Sequence, residues 1–164
     1  MIALANTIRR ARVPVREVSA GDRLAPTGGC LIEVLHPAGS SSAASDNAGS
    51  IVLAIEYQGK RILIPGDLES SGLEDLLAHQ PWDTDVLLAP HHGSGRSDPP
   101  GLAAWCEPEW VVISGSIGSY QPETTASYHA SGAKVLHTGA VGAVDVLIDA
   151  SALEVGAFLA SGEE

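Results

Sequence analysis

Two short apolar runs, Ile62-Leu63-Ile64 and Val86-Leu87-Leu88, each end at a proline and then deliver polar side chains. The first continues through Pro65-Gly66 to Asp67-Leu68-Glu69. The second continues through Ala89-Pro90 to His91-His92-Gly93-Ser94. Between them, Ser71-Gly72-Leu73-Glu74 has the form of a helix capping box, and Leu73, Leu76 and Leu77 follow at helical spacing. A strand–helix–strand unit joins parallel neighbours, because parallel strands need a crossover between them. In that arrangement Asp67 and His91 leave the same edge of the sheet, one such unit apart.

The flanking sequence extends this pattern. Residues 26–29 read as a turn, Leu31–Leu35 as a strand that stops at Pro37, and residues 39–49 as a flexible Ser/Ala/Gly-rich loop. Ile51–Tyr57 and Arg61–Ile64 are strands joined by a hairpin turn at Gln58-Gly59, and Asp85–Ala89 is a buried strand. Asp98-Pro99 starts a helix that runs to about Cys106, and Trp110–Ser114 is a strand. Pro122–Ser131 is a helix closed by Gly132. Lys134–His137, Ala143–Ile148 and Leu153–Phe158 are strands, the last two a terminal hairpin. Strands alternating with short helices and ending in a hairpin give an α/β (α+β) fold with a mixed sheet.

The 164 residues read as a single domain, with a basic segment over 1–23 and an acidic α/β body over 24–164. The segment carries net charge +3 and the body −14, with four basic side chains against eighteen acidic ones. Such a body repels a phosphate backbone, so nucleic-acid chemistry on it requires bound divalent cations or a basic neighbour. Aromatic residues are only 4% of the chain, which leaves an aliphatic core. No apolar run approaches the roughly 20 residues of a membrane helix, so the chain reads as soluble. Two cysteines, Cys30 and Cys106, form neither a disulfide framework nor a metal-ligand spacing and read as reduced thiols.

A carboxylate held at a strand end can bridge metals or act as a base, although Asp67 reads equally as a cap for the turn that follows. Adjacent histidines at the end of a buried strand fit a borderline metal such as zinc, whose commonest nitrogen ligand is imidazole. A purely structural pair is the alternative. Gly93 and Ser94 can turn backbone N–H groups and a hydroxyl toward a phosphate. Neither Ser94 nor Ser114 sits in a Gly-x-Ser-x-Gly elbow, which argues against a serine nucleophile.

The order Leu35-His36-Pro37, Asn47-Ala48-Gly49-Ser50, Gly66-Asp67, His91-His92-Gly93-Ser94 and Val112-Ile113-Ser114 resembles the hydrolase domain of the ComEC family of competence DNA-uptake proteins. The resemblance spans roughly residues 17–148. It implies the C-terminal half of a metallo-β-lactamase-like αββα sandwich with a two-metal site of zinc or manganese. Asp67 matches the bridging carboxylate and His91 a metal ligand. His92 is the neighbour that ligates or meets substrate, and Asp67 and His92 are thus the catalytic candidates. Gly93 and Ser94 are the substrate-binding candidates. DNA is the implied substrate of a parent protein in the bacterial inner membrane, with channel domains of that parent as partners.

The family's first metal motif, a His-x-His-x-Asp-His cluster, is expected upstream of residue 1 and does not occur in this sequence. His36 reads as part of a His-Pro turn, His79 as the end of a helix, and His129 and His137 as isolated surface or locally bonded side chains. The expectation is half an active site, inactive alone. The alternative is a non-catalytic binding or assembly module that keeps the fold. Ile51, Leu53, Ile55, Ile62, Ile64, Val86, Leu88, Val111 and Ile113 are expected to line sheet faces, leaving an apolar surface that a second copy covers as a homodimer, or that residues 1–35 fold back to cover.

Overall fold

The computed structural model describes residues 2–26, 28–39, 44–150 and 152–158. The described residues form nine strands: β1 (Arg23–Leu24), β2 (Leu31–His36), β3 (Val52–Tyr57), β4 (Lys60–Ile64), β5 (Val86–Leu88), β6 (Trp110–Ile113), β7 (Lys134–His137), β8 (Ala143–Ile148) and β9 (Leu153–Phe158). Five helices accompany them: α1 (Ile2–Ala11), α2 (Ser70–Leu77), α3 (Pro99–Cys106), α4 (Pro122–Ala130) and α5 (Thr138–Val141). Strands β1 to β7 make one sheet in sequential order, and β8 and β9 pair separately. The first four are antiparallel and β4 to β7 are parallel, so the sheet is mixed and flanked by helices.

The parallel half follows from the crossovers read in the sequence. Ile62 pairs with Val86 and Leu63 with Leu87, and α2 connects their strands. Leu87 pairs in turn with Val111, and Val111 with Val135, through α3 and α4. Alternation along a strand then assigns the faces. Ala54, Leu63, Leu87, Val111 and Ile113 pack with Leu73 and Leu76 of α2, Leu102 and Trp105 of α3 and Tyr128 of α4 in one aliphatic cluster. Val34, Val86 and Val112 are also buried, on the other face. There Leu53, Ile55, Ile62, Ile64 and Leu88 stay half-buried. The expected strand residues thus divide between two faces, while Ile51 lies outside β3 and is exposed.

Helix starts show which local signals hold. Asp98 accepts a hydrogen bond from Gly101 N at 3.3 Å, and Pro99 opens α3 where its missing N–H costs nothing. The expected Ser71 capping box does not form. Helix α2 begins at Ser70, and Glu69 stands at its N-cap without a side-chain cap bond. A capping side chain contributes about 1 kcal/mol. The Glu69 carboxylate forgoes that contribution because it is engaged elsewhere.

Strand β1 and helices α1 and α5 lie outside the sequence reading. Strand β1 has only two residues, too few to alternate, and is held by Arg23–Glu33 pairing across to β2 at 3.0 Å. Helix α1 covers the apolar-then-basic start of the chain and ends with Arg9 and Arg10 in its last turn, where positive charge suits a helix C-terminus. In the Ser/Ala/Gly-rich loop, residues 40–43 lie outside the described residues. Residues 45–50 form a hydrogen-bonded turn, with Gly49 N on Ser45 O at 3.1 Å and Ser50 N on Asn47 O at 3.1 Å. That turn lies against α2 so closely that a Cβ at Gly72 would run into the Ala48 carbonyl. Glycine inside a helix costs about 1 kcal/mol relative to alanine, and here it admits a neighbouring backbone.

Candidate active site at the C-terminal edge of the parallel strands

Beyond β4 the chain turns at Pro65-Gly66, with Gly66 at φ 60°, and presents Asp67 exposed to solvent. Asp67 accepts no hydrogen bond among the described residues. The capping alternative therefore finds no support, since the N-cap of α2 is Glu69. Beyond β5 the chain turns through Pro90–Gly93. The amide of His91 donates to the Gly66 carbonyl at 3.0 Å, which ties the two loops together at one edge.

His91 and His92 have φ 46° and 55°, and Gly93 has φ 77°. Left-handed backbone costs a residue with a Cβ about 1–2 kcal/mol, so two in succession need support from their surroundings. Four bonds supply it. Besides the tie to Gly66, Ser94 N donates to His91 O at 3.0 Å. His91 Nδ1 lies 2.8 Å from Glu69 Oε2, and His92 Nδ1 lies 2.8 Å from Ser114 O at the end of β6. Gly93 closes the turn where a Cβ would meet Ile113 Cγ2 at 2.9 Å.

These partners set the chemistry of both rings. A backbone carbonyl only accepts, so His92 Nδ1 donates and its Nε2 carries a lone pair toward solvent. The His91 ring is 6.5 Å from that of His92, centroid to centroid, and likewise has Nδ1 engaged. Its partner Glu69 is nearly buried, with 10% of its side chain exposed against 30% for His91. The hydrogen bond from His91, reinforced by one from Asn47 Nδ2 at 3.2 Å, holds the Glu69 carboxyl below the usual range against the opposing effect of burial. The edge thus presents the Asp67 carboxylate and two imidazole nitrogens.

The proposed substrate side is engaged within the chain. Gly93 is buried against Ile113 and Thr124, the Ser94 amide is bonded to His91, and Ser94 Oγ accepts from Arg96 N at 3.3 Å. Of the other histidines, His79 at the end of a helix and the locally bonded His129 are placed as the sequence reads them, whereas His36 and His137 are buried. His36 is buried at the end of β2, with Nδ1 on Ser50 O at 2.8 Å, which joins the Leu-His-Pro and Asn-x-x-Ser segments. His137 is locally bonded, as read, but not at the surface. It is buried at the end of β7, accepts from Gly139 N at 3.1 Å and meets the Tyr120 ring edge-on at 5.4 Å. His79 lies just beyond α2 and accepts from Trp105 Nε1 through its carbonyl. His129 is bonded to Ala133 O at 3.2 Å.

Sequence reasoning missed Glu69 and the part played by Asn47. The only signal for Glu69 is its place two residues after Asp67, and Asn47 stands out only within a motif.

Nitrogen and carboxylate donors are the right set for zinc or manganese. Among the described residues, however, no group of three or more His, Cys, Asp and Glu side chains converges to hold an ion. The donor set fits the metal in kind and is incomplete in number.

Comparison with known proteins bears on this edge. No family model matches the chain. Competence protein ComA of Neisseria gonorrhoeae is 33% identical over 105 residues, covering 60% of this chain and 15% of that protein. This chain resembles a short part of a competence protein. The ComEC-type resemblance carried by the motifs is therefore met by an aligned relative, of which the chain spans 15%. A solved structure from Parabacteroides distasonis, named as a metal-dependent hydrolase, superposes with TM-score 0.55 at 16% identity, covering 82% of this chain and 61% of that one. At that identity the likeness is one of fold. The mixed sheet with flanking helices is shared with a metal-dependent hydrolase, and no described helix is long and apolar enough to cross a membrane.

Proposed function

We propose that this chain is part of a metal-dependent hydrolase domain, of phosphodiesterase or nuclease type, belonging to a DNA-uptake competence protein of the bacterial inner membrane. The observation that carries the reading is the tie between the Gly66 carbonyl and the His91 amide, which brings the Gly-Asp and His-His loops to one edge. Asp67 and His91 are the ligands this chain would give to zinc or manganese, and the bound metal would supply Lewis acidity and an activated water. His92, its Nδ1 held by Ser114 O, offers Nε2 as a proton acceptor beside them. Gly93 shapes the turn against β6, and the Ser94 hydroxyl, whose oxygen accepts from Arg96 N, still has its O–H to offer a substrate.

DNA is the substrate that fits the resemblance. The −14 body opposes it, so the metals and the neighbouring domains of the parent membrane channel must offset that repulsion. With too few ligands for a catalytic zinc among the described residues, the chain is expected to be inactive alone. That same shortage is what favours the second reading, a non-catalytic assembly module on the same fold.

A DNA-cleavage assay with added zinc or manganese tests this reading on the present chain and on a longer piece of the parent protein. No cleavage by the first, cleavage by the second, and loss of it in Asp67→Ala are the expected outcomes. Cleavage that persists with alanine at 67 contradicts the role given to Asp67, and an inert longer protein supports the assembly module.

A further inference from the structure

Glu69 occupies an unusual position for an N-cap residue. Its backbone begins α2, yet its side chain makes no cap bond and turns instead to His91 and Asn47. One oxygen, Oε2, lies 2.8 Å from His91 Nδ1, and the other, Oε1, receives Asn47 Nδ2 at 3.2 Å. With both oxygens engaged the carboxylate is held toward the imidazole. Asn47 is in turn brought over α2 by the close packing of its turn on Gly72, and that turn is anchored by the His36–Ser50 bond.

We propose that Glu69 is the positioning residue for His91, keeping the proton on Nδ1 so that the Nε2 lone pair faces out at the sheet edge. An ionised carboxylate only accepts hydrogen bonds, so a neutral imidazole beside it must direct its N–H there. The same bond fixes the orientation of the ring on a left-handed backbone that would otherwise leave it free. A carboxylate behind a histidine is the arrangement that prepares an imidazole to act as a ligand or proton acceptor. The assignment rests on the reading of His91 as a working residue of this edge.

Long-range proton–nitrogen NMR on the nitrogen-15-labelled chain at pH 8, above the ordinary imidazole pKa of about 6.5, reports the tautomer of each histidine directly. His91 is expected as the Nδ1–H form in the wild-type chain. In Glu69→Ala it should shift several-fold toward the Nε2–H form that a free imidazole prefers. His92, bonded to a backbone carbonyl, should not change. Zinc titrated into the same samples and followed at His91 should bind about 10- to 100-fold more weakly after Glu69→Ala. Glu69→Gln, which keeps an acceptor oxygen, should recover part of the loss.

A wild-type His91 in the Nε2–H form, or a tautomer unchanged by Glu69→Ala, overturns the assignment. The wild-type spectrum decides it even where the alanine variant does not fold. Zinc that leaves wild-type His91 unmoved overturns the metal reading, while the tautomer result still decides the positioning role.

Discussion

The amide of His91 and the carbonyl of Gly66 are joined at 3.0 Å, between two loops that both leave the C-terminal ends of parallel strands. The bond uses backbone atoms only, so it fixes the spacing of the loops whatever side chains they carry. It leaves Asp67 and His92 exposed to solvent and His91 half-buried. The strained backbone at 91 and 92 is tolerated because each residue is held from the β4, β6 or α2 side by a separate bond.

Gly93 is expected to be the least replaceable residue of this turn. Glycine is needed there both for φ 77° and for the 2.9 Å approach of a Cβ to Ile113. Gly93→Ala should destabilise the chain by about 2–3 kcal/mol, which lowers the melting temperature by about 4–12 °C. Gly59→Ala has a similar φ of 74° with open space around it and should cost only the backbone part, about 1 kcal/mol. Thermal unfolding of both variants checks this, and equal losses would show that packing at Gly93 contributes nothing.

The two cysteines should differ sharply in reactivity. Cys106 is fully buried in the helix-side cluster, and burial pushes its thiol up to about 12. Because the thiolate is the reactive form, raising the pKa removes it at pH 8. Cys30 is only partly covered. A thiol reagent at pH 8 is expected to titrate one equivalent in the native chain and two after denaturation. Two rapid equivalents in the native chain would mean that α3 opens readily.

Much of the fold is legible in the sequence because it rests on local rules. Pro99–Cys106 and Lys134–His137 read with the bounds they have, the first from a capping aspartate with proline and the second from a short apolar pair after Gly132. The parallel pairing of β4 and β5 follows from the helix between them. What stays hidden depends on side chains meeting across the fold. Glu69 reaches His91 over 22 residues, and α2 starts at Ser70, so that Ser71 lies inside the helix rather than at its cap. His137 looks isolated, and His36 reads only as part of a turn, because nothing in a linear pattern marks a buried imidazole bonded to a backbone group.

The sheet face opposite the helices bears on association. Leu53, Ile55, Ile62, Ile64 and Leu88 share it and are only half-buried, while Leu147 and Phe158 of the terminal hairpin are exposed at 61% and 64%. A second copy covering this face, with about 800 Å² buried on each partner, would be of ordinary size for a stable dimer. Sedimentation equilibrium at micromolar concentration should then give twice the mass of the single chain. A clean monomer mass, without dye-accessible apolar surface, would rule the homodimer out.

If the Asp67 and His91 loops form one metal-directed edge, a divalent ion should find that edge before the rest of the acidic surface. Paramagnetic broadening by manganese, added in small steps to the labelled chain, reads the location of the ion without requiring activity. Selective loss of signal at residues 66–69 and 91–94, weak enough to be reversed by chelator and reduced in both Asp67→Ala and His91→Ala, is the expected result. Broadening that is spread over the acidic surface, or that persists at these loops in both variants, would contradict the shared metal edge.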